Sequence, residues 1–213
     1  MSINPRQVAA EVLIDVLING AYSNILLPRT LNKSTLAPRD KSLVTELVYG
    51  TLRLKGRHDQ RIASVANRPL AEIDPKVLAI LEMGSHQLFE MRIPSYAAVS
   101  GTVDVARKIA GHGSSSFVNA VLRSLTNSND HSSEQATHPD WIISSYKDAL
   151  KSDDEVTALV SANNRPTTPT LVAWPGRSSV SELIDEGATP LTGTHFAASY
   201  AGNPGELEVV RRR

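Results

Sequence analysis

The chain has 213 residues, of which 41% are hydrophobic and only 5% aromatic, and its formal charges sum to zero. It contains no cysteine, which excludes disulfides, thiolate metal sites and a cysteine nucleophile. No apolar run approaches the roughly 18 residues of a membrane span, and the start lacks the apolar core of a signal peptide, so we expect a cytoplasmic protein without a membrane partner.

The first stretch of the chain predicts two helices. Asn4 and Pro5 form a cap and first-turn pair, and apolar residues follow at helical spacing until Asn19 and Gly20. A second, shorter helix is predicted from about Ser23 to Leu31.

The helix predicted from Pro38 to Lys55 is the element around which we expect the core to assemble. Gly56 is expected to end it in the left-handed conformation. Gly50 lies inside it, where glycine costs roughly 1 kcal/mol relative to alanine, so we expect another helix backbone to cross there. Its apolar residues form a wide stripe of Leu43, Val44, Leu47, Val48, Thr51 and Leu52.

Four more helices are predicted before Leu125. The fourth runs from Arg57 to Asn67 with its arginines outward, and the fifth begins at Asp74-Pro75 and invites close packing at Gly84. The sixth covers the segment around 99–110, and after a turn at 111–113 the seventh ends near Leu125. Seven helices with short connections predict an all-α domain over residues 1–127, so the fold class is mainly α.

The second half has a different character. Residues 126–137 are polar and aperiodic, and we interpret 128–137 as a polar hinge. Residues 138–213 are predicted to begin with two short helices and to continue as the start of an α+β segment, with strands at 171–174 and 207–210 around a helix at 179–186. Because the chain stops on Arg211-Arg212-Arg213 without a closing element, we expect this segment to be truncated.

The charges are distributed unevenly between the two halves. Up to Leu125 there are fifteen Lys and Arg against ten Asp and Glu, a net charge of +5, and from Thr126 there are seven against twelve, a net charge of −5. The basic half is therefore the one suited to a polyanion.

Basic side chains of the first half are the candidates for binding RNA. Arg53, Arg57 and Arg61 are spaced by four residues, so neighbouring pairs can share an outward face, and arginine can both grip phosphate and stack on bases. The alternative is a solvated face with some arginines folded back on Asp59 or helix ends. The candidate set is Arg39, Lys41, Arg53, Lys55, Arg57 and Arg61, together with Arg107, Lys108 and Arg123.

No motif predicts catalysis or metal binding. Gly111-x-Gly113 imitates part of a dinucleotide loop, but no strand precedes it and the third glycine is absent. The six histidines show no metalloprotease-like pairing with acidic residues. We therefore assign no catalytic, cofactor-binding or metal residue.

Several motifs in a fixed order resemble one family. They are ELVYGTLR at 46–53, DPKVLAIL at 74–81, IPSYAAV at 93–99 and FVNAVLR at 117–123. In these the chain resembles the NusB-like helical domain of the RsmB (Sun/Fmu) family of ribosomal RNA cytosine-C5 methyltransferases. HPDW at 138–141 and ANNRP at 162–166 resemble the segment that leads into that family's methyltransferase part.

The resemblance implies a region that recognises small-subunit rRNA for an S-adenosylmethionine-dependent enzyme whose methyltransferase domain follows on the C-terminal side. That family uses two cysteines, and this chain has none and lacks the glycine-rich cofactor loop. We therefore expect a non-catalytic amino-terminal fragment without a cofactor of its own. The alternative is a NusB-type module that binds RNA and protein in transcription antitermination.

Overall fold

A computed structural model describes residues 3–165, 167–202 and 204–211. The chain forms two compact units, one up to Asn164 and one from Arg165. Pro166 of the ANNRP motif, and Arg212 and Arg213 at the predicted open end, lie outside the described residues.

The first unit is helical, which confirms the mainly α fold class. Asn4 caps α1 by accepting a hydrogen bond from the N–H of Arg6, and Asp74 caps α5 in the same way, as their positions in the sequence predict. The helices are α1 (Pro5–Leu17), α2 (Ser23–Lys33), α3 (Pro38–Arg53), α4 (Lys55–Val65), α5 (Pro75–Phe89), α6 (Ser95–Thr126), α7 (Asp140–Leu150) and α8 (Asp153–Asn163), with 3₁₀ turns at Leu70–Glu72 and Glu134–Thr137.

Helix α5 is the centre of this unit. It packs against α1, α3, α4 and α6, and residues 79–87 are all buried. The sequence predicts that α3 takes this place, but α3 buries only one face. Because the buried residues Glu82, His86 and Gln87 are polar, the hydrophobic pattern of the sequence does not show that this part of α5 is buried.

Two glycines have different roles from those predicted. The space beside Gly50 is filled by the ring of His86, not by a helix backbone. Gly56 does not end α3. The helix ends at Leu54, which connects it to α4 and does not have a left-handed conformation. Gly56 instead lies in the first turn of α4, where a side chain would overlap the carbonyl of Ala136.

Helix α6 contains the predicted turn between the sixth and seventh helices. Gly111 has a φ of 87° and a ψ of 176°, which breaks the helix there. Ser95 and Thr126, from opposite ends of α6, line the same groove. The two halves of α6 therefore lie side by side.

The predicted hinge, residues 128–137, is held against its own unit. Its 3₁₀ turn packs against α4 and α8, and the side chain of Asn164 donates to Thr137 at 2.9 Å. The boundary between the compact units consequently lies at Asn164, further along the chain than the hinge. The division into domains at 1–127 and 138–213 stays a prediction about how the isolated parts fold.

The second unit is a small α+β structure. Its antiparallel sheet has the order β1-β3-β2, from Thr170–Val172, Ala197–Ser199 and Thr189–Pro190, with α9 at Val180–Asp185 and α10 at Glu208–Arg211. The strand predicted at 207–210 is wrong, because the carboxylate of Glu186 accepts from the N–H groups of Glu208 and Val209 and so caps a helical turn.

Candidate nucleic-acid interface

A groove of about 490 Å³ runs between the two halves of α6. Arg107 and Tyr96 line it from the first half, and Arg123 and Asn119 line it from the second. Tyr96 lies in the first turn of α6 and exposes 78% of its surface. The groove thus combines two cations and the carboxylate of Asp104 with an open aromatic ring.

Both arginines of the groove are oriented by neighbours on their own helix. Nη1 of Arg107 lies 3.0 Å from Oδ1 of Asp104, and half of the Arg107 side chain is exposed. Nε of Arg123 donates to Oδ1 of Asn119 at 3.1 Å. Because an arginine has five N–H donors, each guanidinium keeps donors for an incoming acceptor.

The groove continues into a second depression of about 270 Å³. Arg107 and Asn119 line both, and His112 and Ser116 extend the surface towards the break at Gly111. Sequence reasoning named Arg107 and Arg123 but missed Tyr96 and Asn119. The signal for Tyr96 was an aromatic residue directly after the Pro94-Ser95 helix start, outside the apolar stripe.

The other candidate residues do not share this groove. Lys108 lines a separate depression with Gln7 and Lys76. Arg39 and Arg53 are exposed and Lys41 is half-buried, but Arg39 and Arg53 lie at opposite ends of α3, about 20 Å apart along the axis.

The three remaining candidates, all on α4, are held in ion pairs. Arg57 contacts Asp130 at 3.2 Å and Glu134 at 3.0 Å, and Arg61 contacts Asp130 at 2.6 Å and Glu90 at 2.8 Å. The expected outward orientation of Arg61 is wrong, because its side chain is only 3% exposed. The guanidinium group of Arg61 packs over the ring of Phe89. Because Phe89 is distant in the sequence, no local sequence pattern reveals this contact.

Lys55 belongs to a cluster of titratable side chains between α4 and α5, in which Glu82 is buried and Lys55 and Asp59 are partly exposed. Its Nζ lies 2.7 Å from Asp59 and 3.1 Å from Glu82. Burial raises the pKa of Glu82 to about 8, although Lys55 opposes the shift. The alternative for the basic face expected arginines to fold back on Asp59, but the side chain that pairs with Asp59 is that of a lysine, Lys55.

Hydrogen bonds to Arg61 hold the pKa of Asp130 well below its usual range, so this carboxylate stays charged. Beneath the arginines, the ring of His58 is buried, and Nη1 of Arg61 lies 3.3 Å from its Nδ1. Burial lowers the pKa of His58 well below the ordinary value, so the ring is neutral.

Two further properties limit the chemistry of the described residues. Within the ranges given above, no group of three or more His, Asp or Glu side chains is arranged to hold a metal. None of the described helices is both long and apolar enough to cross a membrane.

Comparison with known families and sequences gives consistent matches. Residues 3–127 match the family described as the NusB family. The chain is 32% identical to "Putative methyltransferase Rv1407" of Mycobacterium tuberculosis over 97% of this chain and 50% of that protein. It is 35% identical to the "Probable ribosomal RNA small subunit methyltransferase B" of Bacillus subtilis over 68% of this chain and 35% of that protein. The chain thus spans half or less of the length of these curated relatives.

Solved structures agree in fold. The chain resembles the crystal structure of PH0851 with a TM-score of 0.64 and 14% identity, over 95% of this chain and 50% of that one. It resembles the NusB of T. maritima with a TM-score of 0.53 and 17% identity, over 61% of this chain and 95% of that one. At such identities the likeness concerns the fold alone.

Proposed function

The chain belongs to the NusB family through residues 3–127, and on that premise we propose that it is the RNA-binding, substrate-recognition region of an S-adenosylmethionine-dependent rRNA cytosine-C5 methyltransferase. The substrate we propose is small-subunit rRNA, the RNA in the name of the relatives from Bacillus and other bacteria. The proposed site of action is the cytoplasm.

The groove between the halves of α6 is the observation that carries the proposal. Arg107 and Arg123 supply two guanidinium groups for backbone phosphates, and Tyr96 supplies an exposed ring on which a base can stack. Asn119 adds an amide that can donate to or accept from a base edge. Cations, an aromatic ring and a neutral amide in one open groove are the components with which proteins bind unpaired RNA.

Chemistry is not assigned to this chain. C5 methylation of cytosine requires a strong nucleophile to attack the ring, and the sequence contains no cysteine. We propose that S-adenosylmethionine and the catalytic cysteines belong to the methyltransferase domain of the parent protein, the partner of this region.

The nine candidate cations take different parts in this proposal. Arg107 and Arg123 are the main phosphate contacts. Arg39, Lys41 and Arg53 are spread along and around α3, so they can contact only separate parts of a long RNA, and Lys108 lines another depression. Lys55 is paired with Asp59 in this structure, and Arg57 and Arg61 are paired with Glu134 and Asp130.

The test is the double substitution Arg107→Ala/Arg123→Ala. Each lost phosphate contact reduces the slope of log affinity against log salt by about 0.7 to 0.9, so the pair should flatten the slope by about 1.5 and weaken binding to a small-subunit rRNA hairpin. Arg165→Ala/Arg177→Ala, which removes two exposed arginines elsewhere, is the matched control. Unchanged affinity and slope in the folded groove variant would rule out this groove as the RNA site.

A NusB-type antitermination module is the second candidate, because the family match covers the helical domain alone. Competition between a transcript leader RNA and the rRNA hairpin separates the two. Preference for the rRNA favours the methyltransferase region, and preference for the leader favours antitermination.

A further inference from the structure

The carboxylate of Asp130 lies in a cradle of five donors. Nη2 of Arg57 and Nη2 of Arg61 both reach Oδ2, at 3.2 and 2.6 Å, and Nε of Arg61 reaches Oδ1 at 3.1 Å. The N–H and the hydroxyl of Ser132 donate to Oδ1 at 2.9 and 2.6 Å. Two guanidinium groups that converge on one oxygen form the kind of arrangement by which proteins hold a phosphate.

Contacts outside the segment 128–137 hold Arg61, whereas the hydrogen bonds of Arg57, to Asp130, Ser132 and Glu134, all go to that segment. Arg61 donates to Glu90 at 2.8 Å, and its guanidinium carbon lies 4.3 Å from the centre of the Phe89 ring. Its side chain is almost fully buried, so it keeps its position if the carboxylate leaves. Arg57 lies one turn earlier on the same helix and is 16% exposed.

Asp130 belongs to the segment 128–137, which we call the strap. Every residue of the strap is described, and none is buried. Polar contacts hold it to α4: the ion pair of Glu134 with Arg57, and the N–H of Ser133 donating to Oε1 of Gln60 at 2.8 Å. A segment with so little apolar burial belongs to the part of a fold that opens locally at low cost.

We propose that Arg57 and Arg61 form a second phosphate-binding site for a polynucleotide backbone, which Asp130 and Glu134 of the strap occupy until RNA displaces them. The strap is tethered beside its site, so its carboxylates compete at high effective concentration. Apparent RNA affinity is then reduced by the small fraction of molecules in which the strap is open. This site lies on α4, outside the α6 groove, and rests on the proposed function only for the choice of RNA as ligand.

The first test removes the two competing charges with Asp130→Asn/Glu134→Gln. We expect severalfold tighter binding of a fluorescein-labelled oligouridylate and a salt slope steeper by about 1 to 2, since one or two phosphate contacts are added. Adding Arg57→Ala should abolish the gain. Asp148→Asn/Asp154→Asn changes the net charge equally at exposed positions of α7 and α8 and should give no such Arg57-dependent gain.

The second test displaces the strap with all charges intact. Gly56→Ala places a methyl group where the carbonyl of Ala136 lies, whereas Gly113→Ala meets no atom within 4 Å and is the control. Faster hydrogen exchange across 128–137 together with tighter RNA binding supports the proposal. Unchanged affinity and slope in Asp130→Asn/Glu134→Gln overturns the proposal, whether or not the strap has opened. In that variant Arg57 and Arg61 have lost the two strap carboxylates with which RNA is proposed to compete.

Two further readouts keep the conclusions separate. The gain in RNA affinity from the strap variants should persist in the Arg107→Ala/Arg123→Ala background. A negative result for the groove would therefore not count against this site. If sodium phosphate alone stabilises the strap variants through Arg57 and RNA binding does not change, the polynucleotide assignment is refuted.

Discussion

His86 restricts residue 50 to glycine. A Cβ at position 50 would overlap its imidazole, and the ring is almost fully buried and packs against His58, so making room for the methyl group would disturb the core. We expect Gly50→Ala to lower the free energy of unfolding by about 1 to 3 kcal/mol, the usual cost of overpacking a core, despite the better helix propensity of alanine.

Urea denaturation measures this change. Gly113→Ala is the matched control, because its methyl group meets no neighbour, and it should be neutral or slightly stabilising. If Gly50→Ala were as stable as Gly113→Ala, the close approach of His86 would have no energetic role.

Glu82 should make stability depend on pH in the alkaline direction. Its folded pKa of about 8 lies above the ordinary value of 4.5, because burial disfavours the anion. Between these values the folded chain holds a proton that the unfolded chain has released, so the free energy of unfolding falls as pH rises, by up to about 1.4 kcal/mol per pH unit, and levels off above about 8.

Denaturation from about pH 7 to 9 follows this effect, and comparison with Glu82→Gln removes the remaining contribution of histidines, about a quarter of which are still protonated in the unfolded chain at pH 7. Glu82→Gln keeps the shape without the titration and should flatten the profile. Asp148→Asn, at an exposed position of α7, should leave the wild-type slope intact. A wild-type profile that stays flat between pH 7 and 8 would contradict the assignment.

At the scale of elements, local signals predicted where most helices begin. Asn4 and Asp74 each cap a helix at the position read from the sequence, and the helix predicted from Ser179 begins there, with Ser179 as its cap. Elements decided by distant contacts were not predicted. The short segment 207–210, with Leu207, Val209 and Val210, fits a strand equally well, and the carboxylate of Glu186, far back in the chain, caps it as a helical turn. Strands β2 and β3 are too short, and their side chains too small, to show the alternation of polar and apolar residues that predicts a strand.

The candidate site was predictable only in part, for the same reason. Charge counts located the cations, and two of the nine, Arg107 and Arg123, share a groove. Spacing by four correctly placed Arg57 and Arg61 on one face of α4, but it does not report what covers that face. Asp130 is far from both in sequence and looked like part of a loop, so the ion pairs became visible only in the fold.

At the scale of the molecule, the opposite charges of the two halves of the sequence meet within the first unit. Asp130 and Glu134 come from the acidic half and pair with Arg57 and Arg61 of the basic half. The uneven distribution of charge along the sequence therefore also provides contacts that join the helical domain to the segment after it. In this structure the segment 128–137 is attached to α4, and the compact unit extends to Asn164.

This arrangement leads to a prediction about fragments. Residues 1–127 contain the main core around α5 and should fold alone as a helical domain with a cooperative urea transition. They lack Asp130 and Glu134, so they should be less stable than residues 1–164 by about 2 kcal/mol, the order of one or two hydrogen bonds between charged groups. Asp130→Asn/Glu134→Gln in the longer fragment should remove most of that difference, whereas Asp148→Asn/Asp154→Asn should not. A shorter fragment without a cooperative transition would mean that the strap is required for folding, and equal stabilities would mean that it adds nothing to the core.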